Sequence, residues 1–180
     1  MIILFIDTEF TDFKDCDLIS IGLVSECGQY EFYAEIVDHE IQWQSDFVKQ
    51  VVVPLLDNEK YGMSYDKAGQ SLAAWINQLP DQKVCVVADY PMDLHLFSEL
   101  LYDQSIEDRV ITRADINHAF LLALHERGIH MPQQMHQAFR QVPVGIEQYY
   151  QIDNRRHHAL VDAKANRYGW LKGLEHAGRT

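Results

Sequence analysis

Cysteine is scarce: Cys16, Cys27 and Cys85 are the three in 180 residues. An odd number without a CxxC pair supplies neither a disulfide framework nor a structural zinc site, and Cys85 lies in an apolar run. The three read as reduced thiols with no catalytic role. Positive charge is also scarce, with 15 Lys and Arg against 27 Asp and Glu and a formal net charge of −12 at pH 7. A protein that grips a long duplex displaces counterions with a basic face, so extended duplex binding is not expected. A site that holds only a few nucleotides at a strand end needs few cations, and bound divalent metals would cancel part of the charge. No apolar run reaches the roughly 18 residues of a membrane span, and the start has no basic stretch or small-residue cleavage site. These absences predict a soluble, cytoplasmic protein with no membrane partner. No repeat, low-complexity tract or linker divides the chain, and 47% hydrophobic content fits one domain over residues 1–180.

What is present is organised around Ile2 to Thr11, an apolar run that ends in two acids, Asp7 and Glu9. In a strand, residues i and i+2 face the same way, so both carboxylates project side by side from its end. Like charges that close resist joint ionisation unless a cation lies between them. Acids also mark places where a strand enters a solvated loop, so partners are needed at the ends of other elements.

Leu18 to Val24 and Tyr30 to Ile36 read as two further strands on short links, which makes a three-strand antiparallel meander. Ser45 to Leu56 reads as a short helix, and Ser64 to Leu79 as a stronger one with an apolar stripe, ended by Pro80. Lys83 to Ala88 is a continuous apolar run, as in a strand buried on both faces. It passes through Asp89 and Pro91 into a helix that carries Asp93 near its start. Val110 to Ile116 predicts a strand, and Asn117 to Arg127 and Pro132 to Gln141 predict helices. The last element, His158 to about Leu174, carries Asp162 in its first turns. The sum is an α/β domain with a mixed sheet flanked by helices, in which sites collect at strand ends where strand order changes.

Phe5-Ile-Asp7-Thr-Glu9-Phe-Thr11, Ala88-Asp-Tyr-Pro-Met-Asp93-Leu-His-Leu-Phe97 and His157-His-Ala-Leu-Val-Asp162-Ala together resemble the three motifs of the DEDDh exonucleases. These form the DnaQ-like branch of the ribonuclease H-like superfamily. The resemblance covers nearly the whole chain and is closest to small single-domain bacterial and phage 3′-to-5′ exoribonucleases. It implies a ribonuclease H-like sheet in which the meander joins parallel strands. It also implies that Asp7, Glu9, Asp93 and Asp162 hold two Mg²⁺ or Mn²⁺ ions about 3.5–4 Å apart for in-line displacement at phosphorus. His157 would then take the proton of the attacking water, as an imidazole with an unperturbed pKa of about 6.5 can do. The products implied are nucleoside 5′-monophosphates from the 3′ ends of short single-stranded RNA or DNA, and the partner implied is a second copy in a homodimer.

Several assignments stay open at this level. Helix spacing alone favours His158, one turn from Asp162, whereas the family's spacing selects His157. Phe10 stands where relatives press an apolar side chain on the terminal base, and it is equally readable as core. Thr11 closes the first motif and is assigned to substrate with it. Arg155 and Arg156 could meet phosphates or serve as plain surface charge, and Tyr149 and Tyr150 could stack on bases or cover the core edge. Asp12 and Asp89 depart from the family pattern and are read as added negative charge outside the metal acids. The rival of another class is a non-catalytic domain that binds a nucleic-acid end or a protein. Four retained, mutually repelling acids argue against it.

Overall fold

A computed structural model describes residues 1–81, 83–106 and 109–178. In chain order the elements are β1 (Ile2–Phe10), β2 (Leu18–Ser25), β3 (Glu31–Ile36), α1 (Asn58–Tyr61), β4 (Gly62–Met63) and α2 (Tyr65–Asn77). They continue with β5 (Lys83–Ala88), α3 (Pro91–Leu100), β6 (Val110–Asp115), α4 (Ile116–Glu126), α5 (Pro132–Tyr149) and α6 (Ala159–Ala177). The strands form one sheet in the order β4-β3-β2-β1-β5-β6. β1, β2 and β3 pair antiparallel as the expected meander, while β1 with β5 and β5 with β6 pair parallel. The structure is the α/β class with a mixed, helix-flanked sheet that the sequence predicts.

The period-2 alternation of the strands sorts their side chains onto two cores. Leu4 and Ile6 of β1, with Val84 and Val86 of β5, pack under α2 and α3. Phe5, Cys85 and Val87 face the other way, onto α4, α5 and the Trp170 side of α6. β1 is therefore covered on both faces. Its C-terminal end lies beside that of β5, where the chain directions of its two neighbours differ, which is where a sheet of this kind leaves a crevice.

Two close approaches place the last helix. A Cβ on Gly22 would lie 2.3 Å from the backbone nitrogen of Leu160, so only glycine lets the first turn of α6 rest on β2. Gly22 pairs with Asp7 in the β1–β2 register, so that contact is made directly beside the first acid. Along the helix, a Cβ on Gly169 would lie 2.5 Å from the Val142 carbonyl, and one on Gly145 would lie 2.8 Å from the Gly169 Cα. Small residues thus let α5 and α6 pack backbone to backbone. This packing explains a departure from expectation, since α5 does not stop at Gln141 but runs through Pro143 to Tyr149. An interior proline costs a helix about 3 kcal/mol, and tertiary contact along α6 offsets it.

Residues 45–56 also differ. Ser45 does accept from the Val48 amide, but the turns that follow are a π-helical stretch at Val48–Val52 and a 3₁₀ turn at Val53–Leu55 around Pro54. Proline at that position removes the donor an α-helix needs. β4 and α1 are too short to leave a periodic signal in the sequence. Among the described residues no helix is long and apolar enough to cross a membrane. All three cysteines are free.

Candidate active site

β1 delivers Asp7 and Glu9 to one face at its C-terminal end, Glu9 being 9% exposed. Pro91 opens α3, and the first turn of that helix holds Asp93 at 2% exposure. The Asp93 Oδ1 accepts from the Thr8 amide at 3.1 Å and from the Thr8 hydroxyl at 2.6 Å. Its Oδ2 is buried and has no partner. Asp162 enters on the first turn of α6, its Oδ1 accepting from the Tyr150 hydroxyl and its Oδ2 from the His157 amide, each at 2.9 Å.

The four acids meet at one edge and disturb one another. Burial, and then the charges of Asp93, Asp162, Glu9 and Asp89, hold the Asp7 carboxyl well above the usual carboxylate range. Burial lifts Glu9 to about 8, with Asp162 and Asp93 adding to it. Asp93 is raised to about 7 by burial, against the pull of the Thr8 hydrogen bonds. Burial also raises Asp162 to about 6, with the Tyr150 and His157 bonds and Arg156 opposing. Shifts of this kind cluster at functional sites, which makes this strand-end crevice the candidate site. Two groups of donors form: Glu9, His157 and Asp162 each bring one ligand atom within 4.8 Å of the others, and Asp7, Asp89 and Asp93 do the same.

The adjacent histidines take opposite positions. His157 lies just before α6 with φ of 68°, left-handed backbone that costs a non-glycine residue on the order of 1–3 kcal/mol. Its ring is half-buried, stands edge-on to exposed Phe47 at 5.0 Å, and reaches the acids. His158 turns inward at 6% exposure and stacks on Tyr33 at 4.5 Å, with its Nδ1 unpartnered. Burial, then the neighbouring arginine charge, lowers the pKa of both rings.

The substrate candidates are less uniform. Phe10 is half-buried against the core, and its ring meets Phe13 edge-on at 5.3 Å. Phe13 is 73% exposed and meets the exposed ring of Tyr90 at 6.1 Å. The Thr11 hydroxyl is buried within its own loop, donating to the Asp15 carbonyl and accepting from the Asp17 amide. Arg155 is held by Asp153 through two bonds of 3.0 and 2.7 Å. Arg156 pairs with Glu147 and lies 4.1 Å over the Tyr150 ring. Sequence reasoning did not single out Phe13, Tyr90 or Phe47 and did not separate Tyr150 from Tyr149. An exposed aromatic in a polar loop was a usable signal for Phe13. Nothing local marks Tyr150, whose link to Asp162 depends on the α5–α6 packing.

Comparison with curated proteins gives no match. A family model described as the 3′-5′ exoribonuclease Rv2179c-like domain matches residues 3–172. That span contains β1 from its second residue, the whole of β5, both histidines and every acid named above, and the chain belongs to the Rv2179c-like family of 3′-5′ exoribonuclease domains.

Proposed function

We propose that this chain, as one domain over residues 1–180, removes nucleoside 5′-monophosphates from the 3′ ends of short single-stranded RNA. The mechanism is that of the DEDDh type in the ribonuclease H-like superfamily. One observation carries the reading: four acids with raised pKa values share an edge at which the buried Asp93 Oδ2 has no partner. Oxygen donors in that number fit hard divalent cations, Mg²⁺ or Mn²⁺, with Asp7, Glu9, Asp93 and Asp162 as the residues that would hold two of them. Such ions supply charge opposite the attacking and leaving oxygens of an in-line displacement.

The chain's own groups do the rest. His157 is the general base, and its lowered pKa keeps the ring free to accept a proton from the attacking water at neutral pH. Tyr150 and the His157 amide orient the Asp162 carboxylate from both sides. Phe13, with Tyr90 behind it, offers the exposed ring on which a base can stack, while Phe10 supports it from the core. Arg155 and Arg156 already have carboxylate partners and the chain carries −12. Long polyanions therefore gain little here, and short strands are the substrate. A homodimer belongs to the same proposal through the family resemblance. The free cysteines fit a reducing cytoplasm.

The deciding test is digestion of 5′-labelled RNA and DNA oligonucleotides with Mn²⁺ or Mg²⁺. Stepwise shortening from the 3′ end, abolished by chelator, is expected for RNA. If neither strand shortens under either metal, the domain is a binding module and the proposal fails.

Phe13→Ala should raise the KM for RNA by roughly 5- to 150-fold, since a stacked base is worth about 1–3 kcal/mol, and should leave kcat nearly unchanged. Steady-state kinetics on a trinucleotide reads this directly. An unaltered KM removes the stacking role.

A further inference from the structure

Asp89 follows immediately on β5, and the β1–β5 register pairs Phe5 with Val87. Two residues further along both strands, the same register sets Asp89 across from Asp7. The side chains follow that placement, because Asp7, Asp89 and Asp93 each offer an oxygen within 4.8 Å of the other two. Asp89 is exposed, and an acid free to turn in solvent would move away from two like charges. Its carboxylate is instead tied beside them, the Oδ1 accepting from the Asn166 amide at 3.1 Å. Asn166 is 5% exposed and sits one turn beyond Asp162 on α6, so the helix that brings the fourth acid also brings the group that orients Asp89. The third member, Asp93, has its Oδ1 taken by both Thr8 donors and its Oδ2 buried without a partner. A buried carboxylate oxygen lacking any donor is costly unless a cation meets it.

We propose that Asp89 is a fifth carboxylate of the metal centre, completing with Asp7 and Asp93 an all-oxygen site for one divalent cation, and that Asn166 is its positioning residue. The inference rests on the metal-dependent reading above and extends it. It assigns Asp89 to the centre, whereas the sequence reading placed that residue outside the metal acids. The two halves of the centre then differ in chemistry. One is three aspartates, and the other is Glu9 and Asp162 beside the imidazole of His157. Five carboxylates against two doubly charged ions leave one negative charge uncompensated, which further weakens attraction to distant phosphates.

The test is Mn²⁺ binding without substrate, followed by calorimetry and by the electron paramagnetic resonance of free Mn²⁺. Wild type, Asp89→Asn, Asn166→Leu and Asp12→Asn are compared. Asparagine at 89 keeps the shape and still accepts from Asn166, so the fold is undisturbed. Asp12, whose carboxylate accepts from the Lys14 amide in an exposed loop, controls for the loss of one nearby charge. Wild type should bind two ions. Asp89→Asn should weaken one of them by at least about tenfold, Asn166→Leu should weaken the same one by about 10-fold or more, and Asp12→Asn should change neither. Two wild-type affinities in Asp89→Asn, or an equal loss in Asp12→Asn, overturn the assignment and leave the metal-dependent reading intact. A wild-type protein that binds no Mn²⁺ overturns both.

Discussion

Replacing Asp7 by asparagine will abolish turnover and, without metal, make the protein harder to melt. The first effect follows if Asp7 holds a cation that stabilises charge in the displacement. Such charge stabilisation is worth several kcal/mol, so turnover should fall by about 10³-fold or more. The second follows from the repulsion at the edge. Burial and the charges of Asp93, Asp162, Glu9 and Asp89 raise Asp7, and the folded state therefore keeps a proton that the unfolded chain releases near pH 4. A group of this kind stabilises fully below its unfolded pKa, and its contribution is lost as pH rises through the folded value. Glu9, Asp93 and Asp162, at about 8, 7 and 6, act in the same direction. Metal-free wild type should thus lose stability from about pH 4 to about pH 8. Asp7→Asn should lose less, so that the two melt alike in acid and diverge toward pH 8. Saturating Mn²⁺ should reverse the order, because it binds the native wild type. Thermal melts at about pH 4 and pH 8, with chelator and with Mn²⁺, measure all of this. A variant that melts below wild type at pH 8 in chelator would contradict the account of the edge.

The second large effect is at His157. Alanine there should lower kcat by about 10²- to 10⁴-fold, the usual contribution of a positioned base, while Mn²⁺ affinity and the KM for RNA stay close to wild type. Alanine keeps the backbone amide, so the hydrogen bond to Asp162 survives and the loss reports on the imidazole. The acid limb of the wild-type profile should lie below pH 6.5, because burial and Arg156 lower the ring's pKa, and it should vanish in the variant. His158→Phe supplies the contrast. A phenyl ring can keep the stack on Tyr33 and has nothing to titrate, so turnover and the acid limb should both persist. If His158→Phe is inert while His157→Ala turns over, the roles are reversed.

The histidine pair also shows where sequence reasoning stops. Helix periodicity treats both residues as if they lay on α6, and on that footing His158 faces Asp162. In the structure the helix begins at Ala159, His158 turns into the core, and the left-handed backbone at His157 swings its ring to the acids. Short-range patterns were readable because local physics sets them. The apolar run of Lys83 to Ala88 is a strand with those same limits, and the alternation of Asp7 and Glu9 sets their shared face. Pro91 opens α3 at the residue that places Asp93 in its first turn. Lateral information was not readable. The β1–β5 register that sets Asp89 beside Asp7, the Glu147 partner of Arg156, and the tyrosine bound to Asp162 all depend on which surfaces meet. The continuation of α5 through Pro143 depends on the glycines of a helix that comes later in the chain.

The seat that Gly22 provides for α6 has a consequence for a protein made on a ribosome, from its N-terminus onward. The last strand of the sheet ends at Asp115, so all six strands are translated before His157, Asp162 and Asn166 exist. Until α6 has been made and has settled on β2, the nascent chain carries Asp7, Glu9 and Asp93 without the Asp162 carboxylate or the His157 ring beside them. On the reading proposed above, the edge is therefore assembled last, by a helix that docks on a sheet already made.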